Sequence, residues 1–152
     1  MPRKPSYIPA GFHTVTPFLT VSDVASFLDF AGRAFGAEVK GAMKAPDGTI
    51  VHAEVALGDS ILMVGPVMGD QPARPASLYL YVEDVDALYA RAVQAGATST
   101  EEPTNEFWGD RASGVTDRFG NVWWIATKIE DLTPEEIQKR SNAAMESRAP
   151  AS

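Results

Sequence analysis

The sequence predicts an α+β fold made of two tandem βαβββ modules followed by a C-terminal helix. One pattern occurs twice, about sixty residues apart, as FLTVSDVASFLDFAGRAFGAE from Phe18 and as LYLYVEDVDALYARAVQAGAT from Leu78. In each copy an alternating apolar strand ends at an acidic residue, and an amphipathic helix follows and closes at a Gly-Ala pair. Period-two strands come next in both copies. The duplication predicts two similar modules about a pseudo-twofold axis, with any site between them.

The two helices carry start and stop signals. From Val24 to Phe35 apolar residues recur at i, i+3, i+4 and i+7, and the same spacing begins again at Val85. Asp23 and Asp84 can accept hydrogen bonds from the free N–H groups of the first turns. A glycine after each helix suits the left-handed residue that ends it. Each helix therefore has one face to bury.

The strands after the helices alternate apolar and polar residues. Residues 50–57 (IVHAEVAL) lead into a Gly58-Asp59 turn and a strand at 60–64 (SILMV). The second module has a Gly120-Asn121 turn before 122–127 (VWWIAT), and shorter strand patterns fit 39–44 and 98–102. Each module therefore has the order βαβββ.

One domain is predicted over residues 1–142. Its parts are module one at about 12–65, a linker rich in proline and glycine at 66–76, module two at about 77–128 and a helix at about 133–142. Thr133 and Glu136 form a capping box at the start of that helix. Residues 143–152 have little apolar content, and we expect them to be a disordered tail.

Composition excludes several classes of function. The 152 residues are enough to bury a core without disulfides, and the chain contains no cysteine, which rules out thiolate metal sites and cysteine nucleophiles. A net charge of −7, without a basic stripe, disfavours nucleic acid as a partner. No apolar stretch is long enough for a signal peptide or a membrane span. We therefore expect a cytoplasmic protein that does not bind membranes.

These segments, together with DGTIVHAEVALGDSILM, EFWGDR and DRFGNVWWIAT, resemble the vicinal-oxygen-chelate superfamily, and within it the PhnB-like branch of glyoxalase/bleomycin-resistance proteins. The resemblance covers roughly Gly11 to Asp131. It implies the glyoxalase/bleomycin resistance/dioxygenase fold, in which the modules form a curved mixed sheet around a cleft. It does not decide the reaction, because that superfamily contains isomerases, lyases, dioxygenases, thiol transferases and antibiotic-binding proteins without catalytic activity.

The resemblance also implies where a metal would lie, since the first and last strands of each module supply one ligand apiece in that family. Counting along the repeat places these positions at Thr16, Leu62, Ser77 and Trp124. None of the four is a good ligand, because such a site needs imidazole, carboxylate or thiolate donors. A slip of one residue would substitute Met63 or Trp123 and leave this result unchanged. We therefore predict neither a metal nor another cofactor.

Period-two alternation predicts which side chains line the cleft. The predicted lining is mostly aromatic and apolar, which is typical of a pocket for a small flat molecule. The alternative is that the aromatic residues among them only fill a core. The predicted lining residues are Thr16, Phe18, Thr20, His52, Glu54, Ser60, Leu62, Tyr79, Tyr81, Val122 and Trp124.

His52 and Glu54 alternate with apolar residues and should project to one side of a strand, where they are candidate acid/base groups. The alternatives are a partly buried histidine held by Glu54 or a backbone carbonyl, or half of a displaced metal site. In the motif EFWGDR, Trp108 is a candidate for stacking and Arg111 for binding a carboxylate or enolate oxygen. The competing interpretation is that Asp110 and Arg111 brace a loop.

We therefore predict a homodimeric protein that binds or sequesters a small hydrophobic or aromatic molecule, such as a metabolite or antibiotic, in a metal-free cleft. The candidate ligand-binding residues are Thr16, Phe18, Leu62, Ser77, Tyr79, Tyr81, Trp108, Asp110, Arg111 and Trp124. A metal-independent isomerase or lyase that uses His52 and Glu54 is the alternative, and a metal-dependent lyase or dioxygenase is a more distant one.

Overall fold

A computed structural model describes residues 2–148, which divide into two compact units between Ala76 and Ser77. Each unit has one four-stranded mixed sheet, and the α+β fold with tandem βαβββ modules is confirmed. The elements are β1 (Phe18–Val21), α1 (Val24–Phe35), β2 (Glu38–Lys44), β3 (Ile50–Leu57), β4 (Ser60–Pro66), β5 (Ser77–Tyr81), α2 (Val85–Gln94), β6 (Thr98–Asn105), β7 (Asp110–Thr116), β8 (Val122–Lys128) and α3 (Pro134–Arg148).

The two sheets have the same topology. The strand order is β1-β4-β3-β2 in the first unit and β5-β8-β7-β6 in the second. In each unit the first and last strands pair in parallel, and the remaining pairs are antiparallel. The parallel pair requires a crossover, which α1 or α2 provides. The strand order leaves β1 and β2 at the edges of the first sheet, and β5 and β6 at the edges of the second.

Each crossover helix begins and ends where its sequence signals predict. Asp23 accepts a hydrogen bond from Ser26 N at 3.2 Å, and Asp84 accepts one from Ala87 N at 3.1 Å. Gly36 ends α1 in the left-handed region at φ 69°. Phe27 on α1 is fully buried, which contributes on the order of 2–3 kcal/mol to folding. Caps and an apolar face thus fix both helices against their own sheets.

The cores lie on the face of each sheet that its helix covers. In the first unit the buried strand residues include Leu19, Val21, Ala53, Val55 and Val64. In the second unit they include Val115, Trp123 and Ile125. Because side chains alternate along a strand, the residues between them point to the opposite face, which we call the open face of each unit.

The register of β4 differs from the prediction. A two-residue turn joins β3 to β4, since Leu57 pairs with Ser60, whereas five residues separate the paired Thr116 and Val122 at the other hairpin. Counting from the hairpin glycine therefore gives different faces in the two modules. Leu62 pairs with Val55 and is buried, so its predicted placement on the open face is wrong.

Met63 takes the open-face position instead, opposite Phe18 on β1 and Glu54 on β3. It is the counterpart of Trp124, which pairs with Tyr79 on β5 and Gly114 on β7. Met63 replaces Leu62 there because side chains alternate with a period of two along a strand, so a change of one residue in register exchanges the two faces.

The C-terminal helix has the predicted capping box. Thr133 N donates to Glu136 Oε2 and Glu136 N donates to Thr133 Oγ1, both at 3.2 Å. α3 continues to Arg148, six residues beyond the predicted end at 142, because the segment around Ala143 and Ala144 consists mainly of good helix formers. The last four residues of the predicted tail lie outside the described residues. Among residues 2–148, no helix is both long and apolar enough to cross a membrane.

Candidate functional site

The open face of the second unit carries a cluster around Asp110, at the start of β7. Asp110 is only 4% exposed, and its Oδ2 atom accepts three hydrogen bonds. The donors are Tyr79 Oη at 2.8 Å, Tyr81 Oη at 3.0 Å and Trp108 Nε1 at 3.0 Å. These bonds satisfy a carboxylate that would be costly to bury alone. We call Asp110, Tyr79, Tyr81 and Trp108 the Asp110 cluster.

The two tyrosines of the cluster remain protonated donors. Burial raises the pKa of Tyr79 well above its usual range, and the hydrogen bond to Asp110 adds to this effect. For Tyr81 the hydrogen bond to Asp110 is the larger cause of its raised pKa, followed by burial. Their hydroxyls are bound to Asp110. Their rings stay accessible, since Tyr79 is 41% exposed and Tyr81 is 67% exposed.

Trp124 extends this aromatic face. It pairs with Gly114 on β7, and a Cβ atom built at position 114 would lie 2.9 Å from Trp124 Cζ3 and 2.7 Å from Thr100 Oγ1. Only a glycine leaves room there for the indole ring, which is a recognised use of glycine inside a strand. Trp124 thus shares the open face with Tyr79, its partner on β5, and with Tyr81, and we call these three side chains the aromatic surface.

Arg111 points away from this surface. Its Nε and Nη2 atoms donate to the two carboxylate oxygens of Asp86 on α2, at 2.8 and 2.9 Å, and Nη1 donates to Asn105 Oδ1 at 3.0 Å. The hydrogen bond from Arg111 is the main reason that the pKa of Asp86 is lowered. Arg111 therefore braces α2 and β6, with Asp86 rather than Asp110 as its partner. Its predicted role in ligand binding stays a prediction.

The turn that contains Trp108 is fixed by the chain before α3. Ile129 N and Glu130 N both donate to Gly109 O, at 2.9 and 3.1 Å. Arg140 on α3 donates to both carboxylate oxygens of Glu130 at 3.0 Å. These contacts hold the turn from which the Trp108 indole N–H reaches Asp110.

The open face of the first unit places Phe18, His52 and Glu54 together. The rings of Phe18 and His52 are tilted, with centroids 5.9 Å apart, and Glu54 lies two residues from His52 along the same strand. The predicted proximity of His52 to Glu54 on one face is thus observed.

Thr16 and Ser77 lie at the beginning of the first strand of each unit. Thr16 precedes β1 and donates to His13 O at 3.1 Å, while Ser77 is exposed at the start of β5.

A cavity of about 280 Å³ lies beside Phe18 in the first unit. Gly65 makes room for the ring, since a Cβ atom there would lie 3.2 Å from Phe18 Cζ. In both units an aromatic ring lies against a glycine of a neighbouring strand: Phe18 against Gly65, and Trp124 against Gly114. The other walls of the cavity include Thr20, Pro66, Val67, Met68 and Arg74.

The positions that the family resemblance implies for a metal do not fit one. The first unit offers Thr16 with Leu62, or with Met63 in the observed register, and the second offers Ser77 with Trp124. Neither pair supplies an imidazole, carboxylate or thiolate donor. Within residues 2–148, no group of three or more His, Asp or Glu side chains is placed to hold a metal ion.

The sequence reasoning missed three of these features: the position of Met63, the role of Gly114 under Trp124, and the bonds from the two tyrosines to Asp110. A glycine inside an alternating strand was the available signal for Gly114. The Asp110 bonds had no comparable local signal, because their partners are about thirty residues away along the chain.

The fold and these open faces define a member of the class of duplicated βαβββ proteins. The profile of the Glyoxalase/Bleomycin resistance protein/Dioxygenase superfamily matches residues 11–125, and the chain belongs to this family. Among curated relatives, Mb0911c of Mycobacterium bovis, a protein described as uncharacterized, is 35% identical over 135 residues, covering 82% of this chain and 89% of its own.

Two solved structures show the same likeness. TioX from Micromonospora sp. ML1 has a TM-score of 0.68 and 26% identity, covering 77% of this chain and 99% of its own. TnmS3 from Streptomyces sp. CB03234, described as an antibiotic binding protein, has a TM-score of 0.62 and 26% identity, covering 76% and 95%. Both are consistent with the family assignment.

Proposed function

We propose that this protein binds a small aromatic or heterocyclic molecule by stacking and enclosure. The observation that carries the proposal is the aromatic surface of the second unit, where Trp124 lies over Gly114 beside Tyr79 and Tyr81. Aromatic side chains that remain accessible on a rigid sheet offer a large contact area at a small entropic cost. A flat ligand is the natural partner for such a surface.

The first unit supports the same class of ligand. Its cavity of about 280 Å³ is just below the usual range of sites for small molecules, and Phe18 forms one wall. Phe18 is 55% exposed, and its ring is held in place by the close approach of Gly65. Each unit thus presents an aromatic ring positioned by a glycine.

The likeness to TnmS3, an antibiotic binding protein, supports binding without a reaction. Under this proposal the protein sequesters an antibiotic or an aromatic metabolite in the cytoplasm. No metal is needed, since stacking and enclosure supply the affinity, and the residues at the implied metal positions are poor donors.

A metal-independent enzyme is the second candidate. It is favoured by the position of His52 and Glu54 on the same open face as Phe18, which would put a proton carrier beside an aromatic ring that contacts the ligand. Such an enzyme would convert its ligand, whereas a sequestering protein would release it unchanged.

The test is a thermal-shift screen of aromatic metabolites and antibiotics, followed by titration of each hit against two variants. Trp124→Ala should weaken binding about tenfold or more, because it removes ring contact worth roughly 0.5–1.5 kcal/mol beyond the buried area. His52→Gln should change affinity little, since it keeps a polar side chain of similar reach.

Mass spectrometry of the ligand after prolonged incubation separates the two candidates. Recovery of unchanged ligand supports sequestration. Conversion by the wild type that is lost in His52→Gln would establish the enzyme instead, with turnover reduced by roughly a hundredfold. A screen without any hit would count against both.

A further inference from the structure

The Asp110 cluster has an uneven distribution of donors and acceptors. Three of its side chains have one hydrogen-bond donor each, and all three donors point at the same oxygen, Asp110 Oδ2. The donors belong to Tyr79, Tyr81 and Trp108. A tyrosine hydroxyl has only one proton, so each hydroxyl that donates inward keeps only lone pairs for other partners. Both hydroxyls are protonated at neutral pH, and their raised pKa values extend this form to higher pH. The polar atoms of the cluster can therefore only accept hydrogen bonds from a ligand.

The second carboxylate oxygen is also available. All three bonds end at Oδ2, and among residues 2–148 no buried side-chain oxygen or nitrogen is left without a partner. No donor from the described residues contacts Oδ1, which therefore keeps some access to solvent. Asp110 is 4% exposed and thus offers a largely buried carboxylate acceptor on the open face of the second unit.

The two neighbouring cations form their ion pairs with other carboxylates. Arg111 follows Asp110 in the chain but is held by both oxygens of Asp86. Lys128, which pairs with Asp110 across β7 and β8, forms its ion pair with Asp131, and its charge also acts on Asp110 and Tyr81 without a direct contact. The accessible rings of Tyr79 and Tyr81, with centroids 5.3 Å apart, add negative π faces beside the carboxylate. Such faces attract cations.

We propose that the Asp110 cluster is a subsite for a positively charged nitrogen, so that the ligand is a planar aromatic cation carrying an amino, amidino or protonated ring nitrogen. This inference rests on the proposed function and gives it a ligand class. The cation would stack on the rings and donate a charge-assisted hydrogen bond toward Asp110, which is stronger than a bond between neutral groups. A planar carboxylate would instead meet only acceptors.

Three planar probes of similar size test the subsite at pH 7. Proflavine is cationic, acridone is neutral and 9-anthracenecarboxylate is anionic. In fluorescence titrations we expect proflavine to bind about tenfold tighter than acridone, and the carboxylate to bind most weakly. Asp110→Asn should weaken proflavine binding by about tenfold while changing acridone affinity less than about threefold.

Glu102→Gln is the matched control, because it removes the same charge from an exposed residue of β6 in the same unit. It should change proflavine affinity by less than about twofold. An equal loss in Glu102→Gln and Asp110→Asn would overturn the subsite in favour of a general effect of negative charge.

Tyr81→Phe provides a second variant if Asp110→Asn fails to fold. Tyr81 is mostly exposed, and the substitution keeps its ring while removing one acceptor. It should weaken proflavine binding by about threefold and acridone binding by less, since the ring on which both probes stack is kept. Equal wild-type affinity for proflavine and acridone would overturn the subsite but leave the proposed function standing. Failure of all three probes to bind would count against both.

Discussion

The indole ring of Trp124 lies across Gly114, its partner on the neighbouring strand, and 2.9 Å would separate Trp124 Cζ3 from a Cβ atom at position 114. A second atom, Thr100 Oγ1, would be at 2.7 Å from that Cβ. The position is thus closed on two sides. The absence of a side chain at residue 114 is what allows the ring to take its place on the open face.

Gly114→Ala should therefore displace the Trp124 ring and destabilise the protein by about 1–3 kcal/mol. It should also weaken the binding of any ligand that stacks on Trp124. Gly41→Ala is the control, because the nearest atom to a Cβ there is Glu54 Oε2 at 4.0 Å. Urea denaturation and ligand titration of both variants provide the measurements. Equal midpoints and affinities for the two variants would show that the position of the Trp124 ring does not depend on Gly114.

The hairpin between β7 and β8 depends on Asp117. Its Oδ1 accepts from the backbone N of Phe119 and Asn121, both at 2.9 Å, and its Oδ2 accepts from Asn121 Nδ2 at 3.1 Å and from Trp123 Nε1 at 2.9 Å. Asp117→Asn would place an amide N–H against two of these donors. We expect a loss of about 2–4 kcal/mol in the free energy of unfolding.

Asp59→Asn in the other hairpin is the matched comparison. Asp59 is exposed, and within residues 2–148 its carboxylate accepts only from Ser60 Oγ, at 3.1 Å. Its substitution should change the free energy of unfolding by less than about 0.5 kcal/mol. Chemical denaturation of the two variants compares them directly, and similar losses would show that Asp117 has no special role.

The raised pKa of Tyr79 predicts that its phenol loses its proton at a higher pH than an ordinary tyrosine. Absorbance at 295 nm reports tyrosinate, and the difference between wild type and Tyr79→Phe should appear only above pH 10.0, the ordinary value. In urea the same difference should appear near that value. A native difference centred at pH 10 would contradict the burial of the hydroxyl.

The same shift affects stability at alkaline pH. Because the folded state holds this proton more tightly, the contribution is fully present below the pKa of the unfolded state, near 10.0, and is lost as pH rises from there toward the folded pKa. Tyr79→Phe removes this group and should show a smaller decline in denaturation midpoint above pH 10 than wild type.

Protein purified without chelators or added metal should contain no stoichiometric zinc, nickel, manganese or iron. The reason is the poor donor chemistry of Thr16, Met63, Ser77 and Trp124. Elemental analysis measures this directly. One tightly held metal per chain, removed by a chelator together with ligand binding, would require a site elsewhere, for which His52 and Glu54 are the first candidates.

A homodimer is expected because β2 is an edge strand exposed along its whole length, with Val39 and Met43 among its apolar residues. Light scattering at micromolar concentration should give twice the chain mass, and Met43→Lys should shift the protein toward monomer. Met145→Lys on α3 is the control, since Met145 is similarly exposed. A monomeric wild type, or equal effects of the two variants, would argue against this surface.

Local chemistry made much of the fold predictable. The acidic caps at Asp23 and Asp84, the glycine at residue 36 and the capping box at Thr133 act within a few residues of themselves, so their patterns in the sequence suffice. The alternation in β3 placed His52 and Glu54 on one face for the same reason. Their roles, and those of the other candidate site residues, stay predictions.

By itself, the sequence determined the duplicated βαβββ order, the starts of the helices and the family, because these follow from short-range patterns. Only the tertiary structure decided that Met63 rather than Leu62 lies on the open face, since the two hairpins differ in length and one residue exchanges the faces. It also turned Asp110 toward the tyrosines and Arg111 toward Asp86. Those partners lie about 25 to 31 residues away, and strand pairing and helix packing, rather than local sequence, bring them together.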